Sequence, residues 1–159
     1  MMNALGSFTL ACVVAGGPLA VASSAQSSNQ GDTYAQQLVD WLVASNADVT
    51  AVELAVLSDS GCATLAATDP DDVGEACDED ERIAMRAGAH VERPSAHENA
   101  YDITQALHDV SGKLIGAVGF DILPAPEAGD SVVLTRARAL LGELEARIPS
   151  KASLSGPAR

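Results

Sequence analysis

Tyr101–Ile122, YDITQALHDVSGKLIGAVGFDI, is the stretch whose reading decides the fold. Ile103, Gln105 and Leu107 alternate with Asp102, Thr104 and Ala106, the period-two pattern of a strand. Asp109-Val110-Ser111-Gly112 breaks that pattern with turn-forming residues, and an apolar run restarts after Lys113. The stretch therefore reads as a β-hairpin. Its second strand carries Leu114, Ile115, Val118, Phe120 and Ile122, with Gly116 and Gly119 where β-branched residues would be expected. Glycine in a strand marks a place where another group approaches the backbone closely. Asp121 stands between Phe120 and Ile122, and a lone carboxylate in an apolar run needs a partner.

Upstream, Asp32 or Thr33 can cap a helix in which Tyr34, Leu38, Trp41 and Leu42 keep helical spacing, ending near Ser45-Asn46. Its greasy face is expected to pack on a sheet. Val49–Leu57 and Cys62–Thr68 then form a second hairpin around Ser58-Asp59-Ser60-Gly61. Both hairpins turn on an aspartate and a Ser-Gly step, so Asp59 and Asp109 read as structural, accepting bonds from backbone amides of their own turns. Between Asp69 and Glu81 lie eight acids in thirteen residues. Asp69, Asp71, Gly74 and Asp80 fall on calcium-loop positions, but Val73 sits where an oxygen ligand is required, so the segment reads as a solvated loop. It leads into a short helix, Glu81–Gly88, whose N-terminus suits Asp78–Glu81 electrostatically. His90–Asn99 reads as irregular and polar, and Pro94 opposes a central strand there. After Pro124-Ala125-Pro126 a last helix spans about Ser131–Arg147, stopped by Pro149.

The chain has 159 residues and a formal net charge of −13, with no Lys or Arg before Arg82. Such a surface repels phosphate, which argues against nucleic acid and anionic membranes as partners. Leu5–Ala22 is small and apolar, and small-x-small sites end at Ala22 and Ala25, so residues 1–25 read as a secretory signal, with a membrane anchor as the alternative. The expected organisation continues with a disordered leader over 26–31, one domain over 32–148 and a polar tail over 149–159. Removal of a signal leaves Cys62 and Cys77, which suggests one disulfide in a periplasmic or secreted protein; two separate buried thiols are the alternative. No cysteine or histidine spacing supports zinc or haem, and no cofactor is expected.

The segments LAVLSDSGCATLAAT, Asp72-Val73-Gly74 and YDITQALHDVSGKLIGAVGFDI resemble those of the extracytoplasmic Cache sensor domains, which are PAS-like modules. The resemblance implies an α+β fold: a PAS/Cache-like five-stranded antiparallel sheet with a long N-terminal helix, a short middle helix and a C-terminal helix. It also implies a small-molecule pocket on the sheet face opposite the long helix, with Asp121 placed like the acid that holds a ligand amine in amino-acid-binding members. The chain would be a free-standing, non-catalytic binding module for an amine, amino acid or carboxylate. Arg86, His90, Glu92, Arg93, His97 and Tyr101 are expected around the pocket mouth and Asp121 on its floor. A salt bridge from Asp121 to Arg86 or Arg93 is the rival reading. Two other functions remain open: a small hydrolase or lyase using a histidine–carboxylate pair of the 90–98 loop, and a protein-interaction domain without a ligand.

Overall fold

The computed structural model of the protein describes residues 33–92, 99–124 and 129–158. The expected signal and leader, together with Arg93 and His97, lie outside the described residues. Helix α1 (Tyr34–Ser45) begins at Thr33, whose hydroxyl accepts the Gln36 amide at 3.2 Å. It buries Ala35, Leu38, Val39 and Leu42, a stripe at helical spacing. Strands β1 (Val49–Ser58) and β2 (Gly61–Ala67) form the first hairpin. Helix α2 (Glu79–Ala87) follows the acidic loop, and β3 (Ala89–Glu92) follows α2. Strands β4 (Tyr101–His108) and β5 (Leu114–Ile122) form the second hairpin, and helices α3 (Asp130–Glu145) and α4 (Lys151–Leu154) complete the fold.

The architecture is α+β, with one five-stranded antiparallel sheet in the order β2-β1-β5-β4-β3. Residues opposite one another on neighbouring strands share a face, so the register sorts the whole sheet. Val91, Ile103, Phe120 and Val52 form one row, and Gln105, Val118, Leu54 and Ala66 the next. This face packs in one hydrophobic core with Leu38, Val39 and Leu42 of α1, Val133, Ala137, Leu140 and Leu144 of α3, and Leu154 of α4. Each such large side chain contributes about 1.5–3 kcal/mol by leaving water. The opposite face carries the row Ala106, Ala117, Ala55 and Thr64. Its side chains are small, and α2 packs on β3, β4 and β5.

Two close approaches explain the hairpin's special residues. A Cβ on Gly116 would lie 2.0 Å from the Ala55 carbonyl oxygen, so only glycine fits beside β1. Gly112 holds the turn with φ of 79°, while the Asp109 carboxylate accepts the Ser111 amide at 2.9 Å, the Ser111 hydroxyl at 2.5 Å and the Lys113 amide at 3.2 Å. The Ser111 hydroxyl is the main cause of an Asp109 carboxyl held below the usual range. Asp109 is a turn residue, as its sequence context predicts.

Three expectations change. Residues 89–92 form an edge strand rather than an irregular segment, because Pro94 lies beyond the four residues that pair with β4. Helix α2 starts at Glu79, two residues before the expected start, because Asp78 caps it: its carboxylate accepts the Asp80 and Glu81 amides while Glu81 accepts the Asp78 amide at 2.6 Å. The expected polar tail instead forms α4 and returns to the start of α1. Leu154 is fully buried, and the Tyr34 amide donates to the Gly156 carbonyl at 2.9 Å. A single apolar residue among polar neighbours gives little periodic signal, and only the core it enters reveals its role. The α1–β1 corner is fixed from the other side by Arg136 of α3, whose guanidinium donates to both Asp48 carboxylate oxygens, at 2.8 and 2.9 Å, and to Asn46 at 2.6 Å.

Candidate functional site

The alanine-bearing face is not covered throughout. A cleft of about 620 Å³ opens over the middle of the sheet, lined among the described residues by β1, β4, β5 and the segment Thr68–Asp72. Register explains its floor. Thr104, Gly119, Glu53 and Ala67 form one row, and Asp102, Asp121 and Ala51 the next, all on the face opposite the large core. Gly119 opens the centre: a Cβ there would meet Glu53 Cβ only at 3.9 Å and the Thr104 hydroxyl at 4.0 Å. The far wall is a 3-10 turn, Pro70–Asp72, capped by the Asp69 carboxylate on the Asp71 amide at 3.0 Å. Thr68 anchors the wall's start, its hydroxyl accepting the Val52 amide at 2.9 Å.

Among the described residues, the ionisable side chains that line the cleft are Glu53, Asp69, Asp72, Asp102 and Asp121, all carboxylates. Burial pushes the Glu53 carboxyl above its ordinary value, opposed by the hydroxyl of Thr64, which donates to it, and reinforced by Asp72, Asp78 and Glu75. In the first turn of α2 the buried Glu81 carboxyl is pushed up to about 7, first by desolvation and then, among its charged neighbours, by Glu53 and Asp78. The described lining of the hollow is acidic. Its chemistry suits a cation.

The chain matches no protein-family model, and no curated protein is similar to it.

The structure separates the residues singled out in the sequence. Asp121 is among the residues that line the cleft. Tyr101 does not join it: Tyr101 pairs with Ile122, on the core face, and its hydroxyl donates to Asp130 at 3.3 Å. Arg86 is on α2 and bonds Glu79 at 2.9 Å, which leaves that arginine outside the cleft lining. His90 pairs in register with Thr104, on the cleft face, but its Nε2 stands 3.4 Å from Asp80 of α2. Glu92 occupies the register position beside Asp102. Arg93 and His97 fall outside the described residues, so the expected roof over 90–101 is described only in part.

Sequence reasoning missed Glu53, Asp69, Asp72, Asp102 and Glu81. Glu53 offered a signal, an acid between Val52 and Leu54 with the parity of a non-core face. Asp102 offered the same signal one residue from Tyr101. Nothing in the sequence brings Asp69 and Asp72 back over β1. Cys62 and Cys77 are bridged, with Cα atoms 5.3 Å apart, as one of the two readings predicted. Among the described residues no helix is long and apolar enough to cross a membrane.

Proposed function

We propose that the protein is a binding module for a small cationic ligand, an amine or polyamine, held in the cleft over β1 and β5. The observation that carries this reading is the character of the cleft: among the described residues, every ionisable group lining it is a carboxylate, arranged around the open floor at Gly119. A partly desolvated amine can make charge-assisted contacts with several acids at once, whereas a carboxylate ligand would be repelled by those same acids. Of the ligand classes compatible with the sequence, amines are therefore favoured and simple carboxylates are not.

The layered arrangement supports a Cache-like, PAS-like sensor module. A sheet carries its long helix on one face and a cleft on the other, with Asp121 near the end of the last strand. The disulfide fits an oxidising compartment, so we assign the module to the periplasm or to secretion.

Thermal-shift screening at constant ionic strength tests the reading with putrescine, spermidine, amino acids, carboxylates and divalent ions. Amines are expected to stabilise the protein, and Gly119→Leu, which fills the floor, is expected to abolish that shift. No stabilisation by any amine, or stabilisation that survives Gly119→Leu undiminished, removes the cleft as a cation site.

A further inference from the structure

The wall of the cleft belongs to the loop that the disulfide closes. Cys62 lies on β2 and Cys77 immediately precedes the Asp78 cap of α2, and Asp69, Pro70 and Asp72 lie between the two sulfurs in sequence. The wall has no buried residue of its own in Pro70–Asp72, so apolar packing does not hold it. Its first end is tied to β1 through Thr68, whose amide donates to the Val52 carbonyl at 2.9 Å. Its second end runs along the outer edge of β2. There the Thr64 amide donates to Glu75, the Gly74 amide to Thr64 and the Cys77 amide to Cys62, at 2.9, 3.0 and 3.1 Å, and Ala63 pairs with Ala76.

Charge opposes this arrangement. Asp72, which shares the cleft lining with Glu53, and Glu75 and Asp78 further along the loop all push on Glu53, and each raises the cost of keeping its carboxyl ionised. A short ladder on a sheet edge must then hold an acidic wall against an acidic floor. The covalent link at the base of the loop is the one contact in that ladder which electrostatic repulsion cannot loosen.

We propose that the Cys62–Cys77 bridge gates the cleft, so that reduction by a dithiol releases the wall and lowers affinity for the cation. This rests on the cation-binding reading for its ligand, though not for the movement of the wall. Cys62 is partly exposed and Cys77 is buried, which directs attack to the Cys62 sulfur. A thiolate of the dithiol forms a mixed disulfide with Cys62 as Cys77 leaves as thiolate and takes a proton. The second thiol of the reductant, deprotonated, then displaces Cys62, which is protonated in turn. Two electrons pass from the dithiol, which leaves as a disulfide, to the two protein thiols.

Hydrogen exchange and spermidine titration of the full chain, oxidised and after dithiothreitol, test the gate, with Cys62→Ser/Cys77→Ser as a permanently open form. Reduction is expected to speed exchange of the Thr64, Gly74 and Cys77 amides at least tenfold while the paired amides of β4 and β5 keep their rates. Spermidine affinity is expected to fall about tenfold, equivalent to about 1.4 kcal/mol, and to return on reoxidation. Unchanged exchange at those three amides overturns the gate whatever the titration shows. Loss of protection throughout β4 and β5 also overturns it, making the bridge a staple of the whole fold. Oxidised protein that ignores spermidine, with the three amides still released on reduction, leaves a redox-opened wall and refutes only the cation reading. Binding to both redox forms with equal affinity overturns the gate alone.

Discussion

The two faces of the sheet are built from the same strands and differ in nearly every physical respect. One meets α1, α3 and α4 with Phe120, Val118, Leu54, Ile103 and Leu107 and closes into a core. The other offers Ala106 and Ala117 to α2 and Glu53, Asp102 and Asp121 to a cleft. Because side chains alternate along each strand, neighbours in sequence serve opposite purposes. Tyr101 and Asp102, or Phe120 and Asp121, sit one residue apart and on different sides. The comparison teaches that stability and recognition are divided by face rather than by segment.

The largest expected effect tests the contrast between the two strand glycines. Gly116→Val drives a side chain into the Ala55 carbonyl and should leave no cooperatively folded protein, while Gly119→Ala, with 3.9 Å to its nearest neighbour, should unfold in urea within about 1 kcal/mol of wild type. Equal tolerance at both positions would break the account of how β1 and β5 meet. Phe120→Ala, removing a fully buried ring from the core face, should cost about 4 kcal/mol in the same measurement.

Glu81 sharpens the comparison through pH. Its folded-state value of about 7 lies above the 4.5 of an unperturbed glutamate, so between those limits the native state keeps a proton that the unfolded chain has released. The resulting stabilisation is complete below about pH 4.5 and is lost as pH rises through 7. Glu81→Gln removes the titration and keeps an oxygen for the Asp78 amide. Between pH 5 and 8 the wild type should therefore lose about 2 kcal/mol relative to the glutamine variant in urea unfolding. Parallel curves would place that carboxyl in a wetter setting than its burial indicates.

The smallest effect is on affinity. Asp121→Asn on the cleft face should weaken spermidine binding about tenfold, roughly 1.4 kcal/mol, in calorimetric titration. Tyr101→Phe on the core face should leave that affinity unchanged. A reversal of the two outcomes would move the ligand to the other side of the sheet.

Local chemistry made much of the fold legible. The hairpins, the Asp109 turn, an α1 cap at Asp32 or Thr33 and the stripe of α1 follow from short-range rules that the chain states openly. The parity of Tyr101 was also readable, since it shares the alternation of Ile103 and Leu107, yet its ring suggested a packing face for a ligand and placed it in the candidate site. Leu154 could not be read in the same way, because one apolar residue in a polar stretch has meaning only once α4 meets the core.

By itself the sequence determined the two hairpins, the helices α1 and α3, the turn chemistry and an acid on the last strand, and it left the two cysteines with a bridge as one of two readings. Tertiary structure alone decided that β1 lies beside β5, which sets Glu53 against Gly119 and Ala51 against Asp121, and that the disulfide loop folds Asp69 and Asp72 over that floor. The physical reason is range: alternation and capping act within a few residues, whereas the register of sequence-distant strands is fixed only by the packing that joins them.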